Sequence, residues 1–430
     1  MKLDAQVTRL DSGVRVATSR VRDVRSVAVG VWIGVGGRYE PAPLCGASHF
    51  VEHLLFKGTR TRSAARISRE VEGRGGQLNA FTEAEFTCVH ARVAAEHLPG
   101  VLAILADMAL HARLSPRDVG RERLVILDEI GLGRDEPEHR VRVMLDSQLW
   151  ADHPLGRDLS GTEASVAALD AGRLRAFKER HYTARNTMVT LAGQVDHEAC
   201  VALVRRRFRG LPPGRPTRFR PAAVAPLRPR VRVETRTVEQ AHLAIGVRVF
   251  GRRDPRRSAL ALLGVVLGGN MSSRLFQRIR EQRGWAYAIH ADVQYFADSG
   301  LLAIDAGLDP ARAARALGLI FEELRRLRET PVPARELAAA KDYVIGQSLL
   351  ALEGSHSRMN WLGANLLNYG RVRQPEEVIE RIARVTSADV QATARACLRR
   401  ARTAVALIAP ERPGAAAWTE EVERACAALP

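Results

Sequence analysis

Two short runs of alternating pattern read as strands. The first is Val27-Ala28-Val29-Gly30-Val31-Trp32-Ile33-Gly34-Val35, and the second is Ala241-His242-Leu243-Ala244-Ile245-Gly246-Val247-Arg248-Val249. Each leads through a Gly/Pro loop into a helical pattern. In the first half that helix carries His49 and His53; in the second it spans Ser258 to Leu267 and has no histidine. Leu98–Ala112 and Pro310–Leu327 read as later helices, and Arg121 to Ile130 has an apolar stripe with acids on another face. Strands mixed with segregated helices predict the α+β class.

The clearest break is Gly210 to Arg230, which holds Pro212-Pro213-Gly214, Pro216, Pro221, Pro226 and Pro229. Such a stretch predicts a stiff, extended connector. The expected division is a first domain over 1–210, a linker over 211–230 and a second domain over 231–430, the two domains being diverged copies.

A length of 430 residues suits two to three domains with a large core. No apolar run reaches the roughly 18–20 residues of a membrane span. The start, Met1-Lys2-Leu3-Asp4-Ala5, lacks a secretory or transit pattern, and a strand-like run begins at Val14, leaving no room for a presequence. The cysteines Cys45, Cys88, Cys200, Cys397 and Cys426 are scattered and odd in number, which points to a reducing bacterial cytoplasm. Cys45 reads as a packed thiol, not a ligand. The net charge of +17 invites a nucleic-acid reading. Against it, Lys occurs only at Lys2, Lys57, Lys178 and Lys341, so the basicity is a uniform arginine bias of the kind a GC-rich genome writes. Runs such as Arg205-Arg206-Arg207 lack the interleaved aromatics of a stacking platform. Neither a nucleic-acid nor a membrane partner is expected.

The chemistry concentrates in His49-Phe50-Val51-Glu52-His53, an H-x-x-E-H pattern. Residues four apart share a helix face, so His49 and His53 can offer two imidazoles to one metal ion. Glu52 can lean toward the same place without being a ligand. Two neutral imidazoles beside a free carboxylate suit zinc and the activation of water.

Gly46-Ala47-Ser48 before this motif, Leu54 to Thr59 after it, Gly75 to Thr82, Pro154 to Arg157 and Ser160 to Thr162 together resemble the M16 peptidases. These are the inverzincins that include pitrilysin, insulysin and the mitochondrial processing peptidase, and the likeness runs from about Val7 to about Ala409. The resemblance implies two related domains, each a mostly antiparallel sheet backed by helices. It implies a third ligand 76 positions after the second histidine, which is Glu129, and a supporting acid seven residues earlier, which is Glu122. It implies one Zn2+ per chain and a substrate strand over Leu78, Asn79, Ala80 and Phe81. In the second half, Gly268 to Tyr287 resembles the family's Arg/Tyr segment, placing Arg280 and Tyr287 as donors to a peptide oxyanion.

The resemblance further implies a peptide substrate in an enclosed chamber. It implies a homodimer in which zinc of one protomer faces Arg280 and Tyr287 of the other, or pairing with a related subunit. One departure stands out: where mitochondrial members carry acids ten and fourteen residues past the third ligand, this chain has His139 and Val143. The expected activity is a zinc endopeptidase with Glu52 as general base. Three other readings stand beside it: a maturation peptidase for one leader peptide, a catalytically silent structural subunit, and a basic nucleic-acid binder.

Overall fold

The computed structural model describes residues 3–222, 230–411 and 415–427. Of the expected linker, residues 223–229 lie outside the described residues. The chain forms two compact units. The first comprises Met1–Leu132, Arg157–Arg220 and Ser348–Glu376; the second comprises Gly133–Gly156, Pro221–Gln347 and Glu377–Pro430.

The first unit holds a six-stranded sheet: β1 (Ala5–Arg9), β2 (Arg15–Arg20), β3 (Ser26–Ile33), β4 (Gln77–Thr82), β5 (Thr87–Ala94) and β6 (Thr187–Gly193), in the order β1-β2-β6-β3-β5-β4. Only β2 and β6 pair in parallel. The second unit holds β7 (Arg230–Arg236), β8 (Ala241–Phe250), β9 (Ala286–Tyr295), β10 (Ser299–Leu308) and β11 (Thr403–Pro410), in the order β7-β11-β8-β10-β9. Among the described residues its one parallel pair is β7 with β11. Without β1 the two orders coincide strand for strand, as diverged copies would leave them. The expected strands 27–35 and 241–249 are β3 and β8, and each precedes the expected helix, Ala47–Leu55 in one unit and Arg257–Gly268 in the other. The α+β class follows directly, with helices packed on two mixed, mostly antiparallel sheets.

Strand β3 is apolar at nearly every position because both its faces are covered. Val27, Val29, Val31 and Ile33 join the core that includes Phe50, Val51 and Leu54 of helix Ala47–Leu55 and Val101, Leu102 and Leu105 of helix Leu98–His111. Ala28 and Trp32 point the other way, into Met359, Leu362 and Leu366 of helix Ser355–Tyr369. Trp32 donates its indole N–H to Thr190 Oγ1 at 2.7 Å. Gly363 lets the helix approach, since a Cβ there would lie 2.2 Å from the Trp32 ring. In the second unit, helix Pro137–Leu149 packs on β8 and β11, and Gln148 Nε2 donates to the Val405 carbonyl at 3.2 Å. Each unit thus takes a helical segment from the other side of the connector, a feature the strand-and-linker pattern of the sequence does not contain.

All five cysteines are buried free thiols. Burial pushes the Cys45 thiol up to about 12, so it stays a neutral packed group. Among the described residues, no helix is long and apolar enough to cross a membrane.

Two histidines of the first unit make its stability depend on acid. Burial, followed by His356 with its ring 4.8 Å away, pushes His90 down to about 4. Burial, followed by Arg180, does the same to His181. An unfolded chain takes up these protons near pH 6.5, before the folded protein does. Stability is therefore fully present above pH 6.5 and is lost as pH falls toward 4. Urea unfolding should lose on the order of 2 kcal/mol across that window, discounted for partial exposure. A His90→Gln/His181→Gln double variant should flatten the slope; an unchanged slope would contradict this assignment.

Candidate metal centre

Helix Ala47–Leu55 is anchored before it displays any chemistry. Its N-cap is Gly46 at φ +90°, where a Cβ would lie 2.7 Å from the Ser160 carbonyl oxygen. Glycine is required there both for the left-handed backbone and for the close approach. The N–H groups of Gly46 and Ser48 donate to the Glu40 carboxylate at 2.7 and 2.6 Å, which satisfies donors that an open helix end would leave unpaired. Glu40 is buried, and burial pushes its carboxyl up to about 7 against the pull of those two bonds. Phe50, Val51, Leu54 and Leu55 point into the core, while His49, Glu52 and His53 occupy the half-buried face.

On that face the two Nε2 atoms stand 3.1 Å apart. Glu129, on helix Pro116–Asp135, brings Oε2 to 3.9 Å from His49 Nε2 and 3.7 Å from His53 Nε2. One ligand atom from each of His49, His53 and Glu129 lies within 4.8 Å of the others. Two nitrogens bound to one tetrahedral zinc at its usual bond length stand about 3.3 Å apart, so the imidazole pair fits that ion closely. Burial, then the neighbouring His53, pushes His49 down to about 4, which keeps the ring neutral at pH 7 as a metal ligand must be. His53 Nδ1 lies 3.0 Å from Glu122 Oε1. Because a carboxylate only accepts, this bond puts the ring proton on Nδ1 and frees Nε2 for a cation. Glu129 is 42% exposed, so its side of the cluster is open to solvent.

Glu52 lies outside the three-residue group. Thr82 Oγ1 donates to its Oε2 at 2.6 Å. Burial raises the Glu52 carboxyl, opposed by the Thr82 bond and His53, with Glu129 adding to the rise. Leu78, Asn79, Ala80 and Phe81 occupy β4, which ends at Thr82 and lies at the edge of its sheet with β5 as its partner. Leu78 and Ala80 pack toward the core shared with Phe50, Phe81 turns to the Trp32 face, and Asn79 is exposed.

Arg280 and Tyr287 belong to the second unit. Arg280 lies near the end of a π-helical turn, Phe276–Glu281, with its guanidinium 4.8 Å over the Phe276 ring. Arg274 and Arg278 fasten this segment to Glu323, which is 2% exposed. Tyr287 is 76% exposed, an unusual position for so large a ring.

Three residues close to this chemistry escape a reading of the motif alone. Thr82 fixes one oxygen of Glu52, and its only sequence signal is its place at the end of the Gly75 to Thr82 segment. Glu40 caps the motif helix from six residues before Gly46, with no signal in the motif. Lys57 places Nζ 2.7 Å from Glu122 Oε2. Its signal is one of the chain's rare lysines standing just past the motif.

Residues 15–163 match the family model described as insulinase (peptidase family M16), and residues 168–344 match the one described as peptidase M16 inactive domain. An uncharacterized zinc protease of Mycobacterium tuberculosis (strain ATCC 25618 / H37Rv) is 40% identical over 94% of this chain and 92% of its own length. An uncharacterized zinc protease of Bacillus subtilis (strain 168) is 34% identical over 89% of this chain and 93% of its own. Among solved structures, a protease from Helicobacter pylori has a TM-score of 0.88 at 19% identity, covering 95% of this chain and all of that one. The peptidase M16 inactive domain from Pseudomonas fluorescens has a TM-score of 0.89 at 18% identity, covering 95% of this chain and 99% of its own. The structures share the fold, and the sequences share more. By its matched halves and its near full-length relatives, the chain belongs to peptidase family M16.

Proposed function

We infer that this protein is a zinc-dependent endopeptidase acting on peptides or unfolded segments. The observation that carries the reading is the convergence of His49, His53 and Glu129 on one point, with Glu52 beside them and outside the set. His49 and His53 would hold the ion through Nε2 and Glu129 through Oε2. When bound, zinc supplies Lewis-acid polarisation of a water and of the scissile carbonyl.

The remaining steps fall to the chain's own groups. Thr82 holds one oxygen of Glu52, which leaves the other to take a proton from the attacking water and deliver it to the departing amine. The raised Glu52 carboxyl brings its proton affinity closer to working pH, as a general base needs. Arg280 and Tyr287 are proposed donors to the developing oxyanion, and the exposure of Tyr287 leaves its ring open to a substrate. The free edge of β4 would take an extended peptide as an added strand, giving main-chain affinity with little demand on sequence. Assembly as a homodimer, or with a related subunit, belongs to the same proposal.

The direct test combines metal analysis of the purified protein with hydrolysis of a quenched-peptide library, with and without chelator. About one zinc per chain is expected, with cleavage abolished by chelation and restored by zinc. A zinc-loaded protein that cleaves no peptide would favour the silent-subunit reading instead.

A further inference from the structure

The geometry points to Lys57 as a positioning residue of the metal centre: its ammonium group clamps Glu122 so that His53 presents Nε2 to the cation. This rests on the zinc reading above. Glu122 is 5% exposed, and each of its two oxygens has its own partner. Oε1 takes His53 Nδ1 at 3.0 Å, and Oε2 takes Lys57 Nζ at 2.7 Å. A carboxylate with one partner could still swing about its last bonds. Held at both oxygens, its plane is fixed, and so is the ring it holds.

The lysine is itself held from behind. Its N–H donates to the Leu54 carbonyl at 3.2 Å, and its carbonyl accepts from Arg113 Nη2 at 3.2 Å. Gly58 follows at φ +105°, where a Cβ would lie 2.9 Å from the Arg62 carbonyl oxygen, so the turn that aims Lys57 back at the motif helix demands glycine. Its side chain is 39% exposed.

Charge gives a second reason for the clamp. With a divalent ion in place, the carboxylates Glu52, Glu122 and Glu129 gather around two positive charges, and Lys57 supplies a third. A buried carboxylate left with only a neutral imidazole would be poorly compensated. The clamp therefore supports Glu122 and, through it, the affinity of the centre.

The experiment measures zinc dissociation constants by chelator competition on the full chain, together with metal-free melting temperatures. Lys57→Met keeps the length of the side chain and removes its charge; Lys57→Arg keeps the charge. Lys57→Met is expected to weaken zinc roughly tenfold or more, as loss of an outer partner does. Lys57→Arg should recover most of that loss. The Lys57→Met/Glu122→Gln double variant should bind no more weakly than Glu122→Gln alone, because both act through one contact chain. The metal-free melting temperature of Lys57→Met should fall, because buried Glu122 loses its charged partner, and should recover in the Lys57→Met/Glu122→Gln double variant, which a general structural role for Lys57 would leave as unstable as the single one.

Equal zinc affinity in wild type and Lys57→Met overturns this inference and leaves the zinc reading intact. A metal-free melting temperature that stays as low in the double variant as in Lys57→Met, or fully additive effects on zinc affinity in the double variant, also overturns it. A wild-type protein that takes up no zinc overturns the reading beneath, and this inference with it.

Discussion

Glu52→Gln is expected to cut peptide hydrolysis roughly a thousandfold while leaving zinc content unchanged. The separation of these two effects is the point of the experiment. Glu52 stands outside the group formed by His49, His53 and Glu129, so its loss removes no ligand. Glutamine keeps the shape of the side chain and can still accept the Thr82 hydroxyl that lies 2.6 Å from Oε2. It cannot take a proton from water. The fall should therefore appear in kcat, with KM nearly constant, since no binding surface changes. Initial rates on a quenched peptide, read beside atomic absorption of the same samples, decide the matter. Full activity in the variant would remove Glu52 from the mechanism and require another base.

The grouping of His49, His53 and Glu129 was partly legible in the sequence, for a simple physical reason. Two of its members sit one helical turn apart, a spacing that any helix converts into a shared face. The residues around the hydrophobic runs fixed that helix, and it forms over Ala47–Leu55. Glu129 was reachable only through family resemblance, because no periodicity links residues so far apart in sequence. The supports around the motif were silent for a different reason. Glu40 caps the helix through backbone N–H groups, which leave no trace in residue spacing. Lys57 and Thr82 act through contacts made only when separate elements pack together.

The fold divides in the same way. Strands β3 and β8 could be read from their apolar runs, but not what covers their second faces. The run around Trp32 is too apolar for a strand wet on one side. The strand reading did not draw that consequence, and nothing in residue spacing names helix Ser355–Tyr369, more than 300 residues away, as the covering layer. Arg280 and Tyr287 stand apart from both cases. Their segment was recognised by resemblance, and what the structure adds is its anchoring through Arg274 and Arg278 to Glu323.

Glu129→Gln should weaken zinc well over a hundredfold, beyond what loss of an outer partner produces, and abolish cleavage with it. The companion variant Glu122→Gln should stay within about ten- to a hundredfold. Both acids ride on helix Pro116–Asp135, two turns apart, so their α-carbons lie about 10 Å from each other along one side and their carboxylates reach opposite ends of the His53 ring. That distance divides the labour. Glu122 reaches only the Nδ1 side of His53, at 3.0 Å, where it holds the ring. Glu129 reaches the Nε2 side of both rings, at 3.9 and 3.7 Å, where a cation would sit. Replacing Glu129 exchanges a carboxylate donor for a neutral amide and removes the negative charge that would offset the ion. Replacing Glu122 removes the charge that holds both the His53 ring and Lys57 and leaves all three donors in place. Chelator competition on the two variants tests that division. If Glu122→Gln loses zinc as fully as Glu129→Gln, the two acids have been assigned to the wrong sides of His53. If Glu129→Gln keeps zinc at wild-type affinity, the third donor comes from another residue.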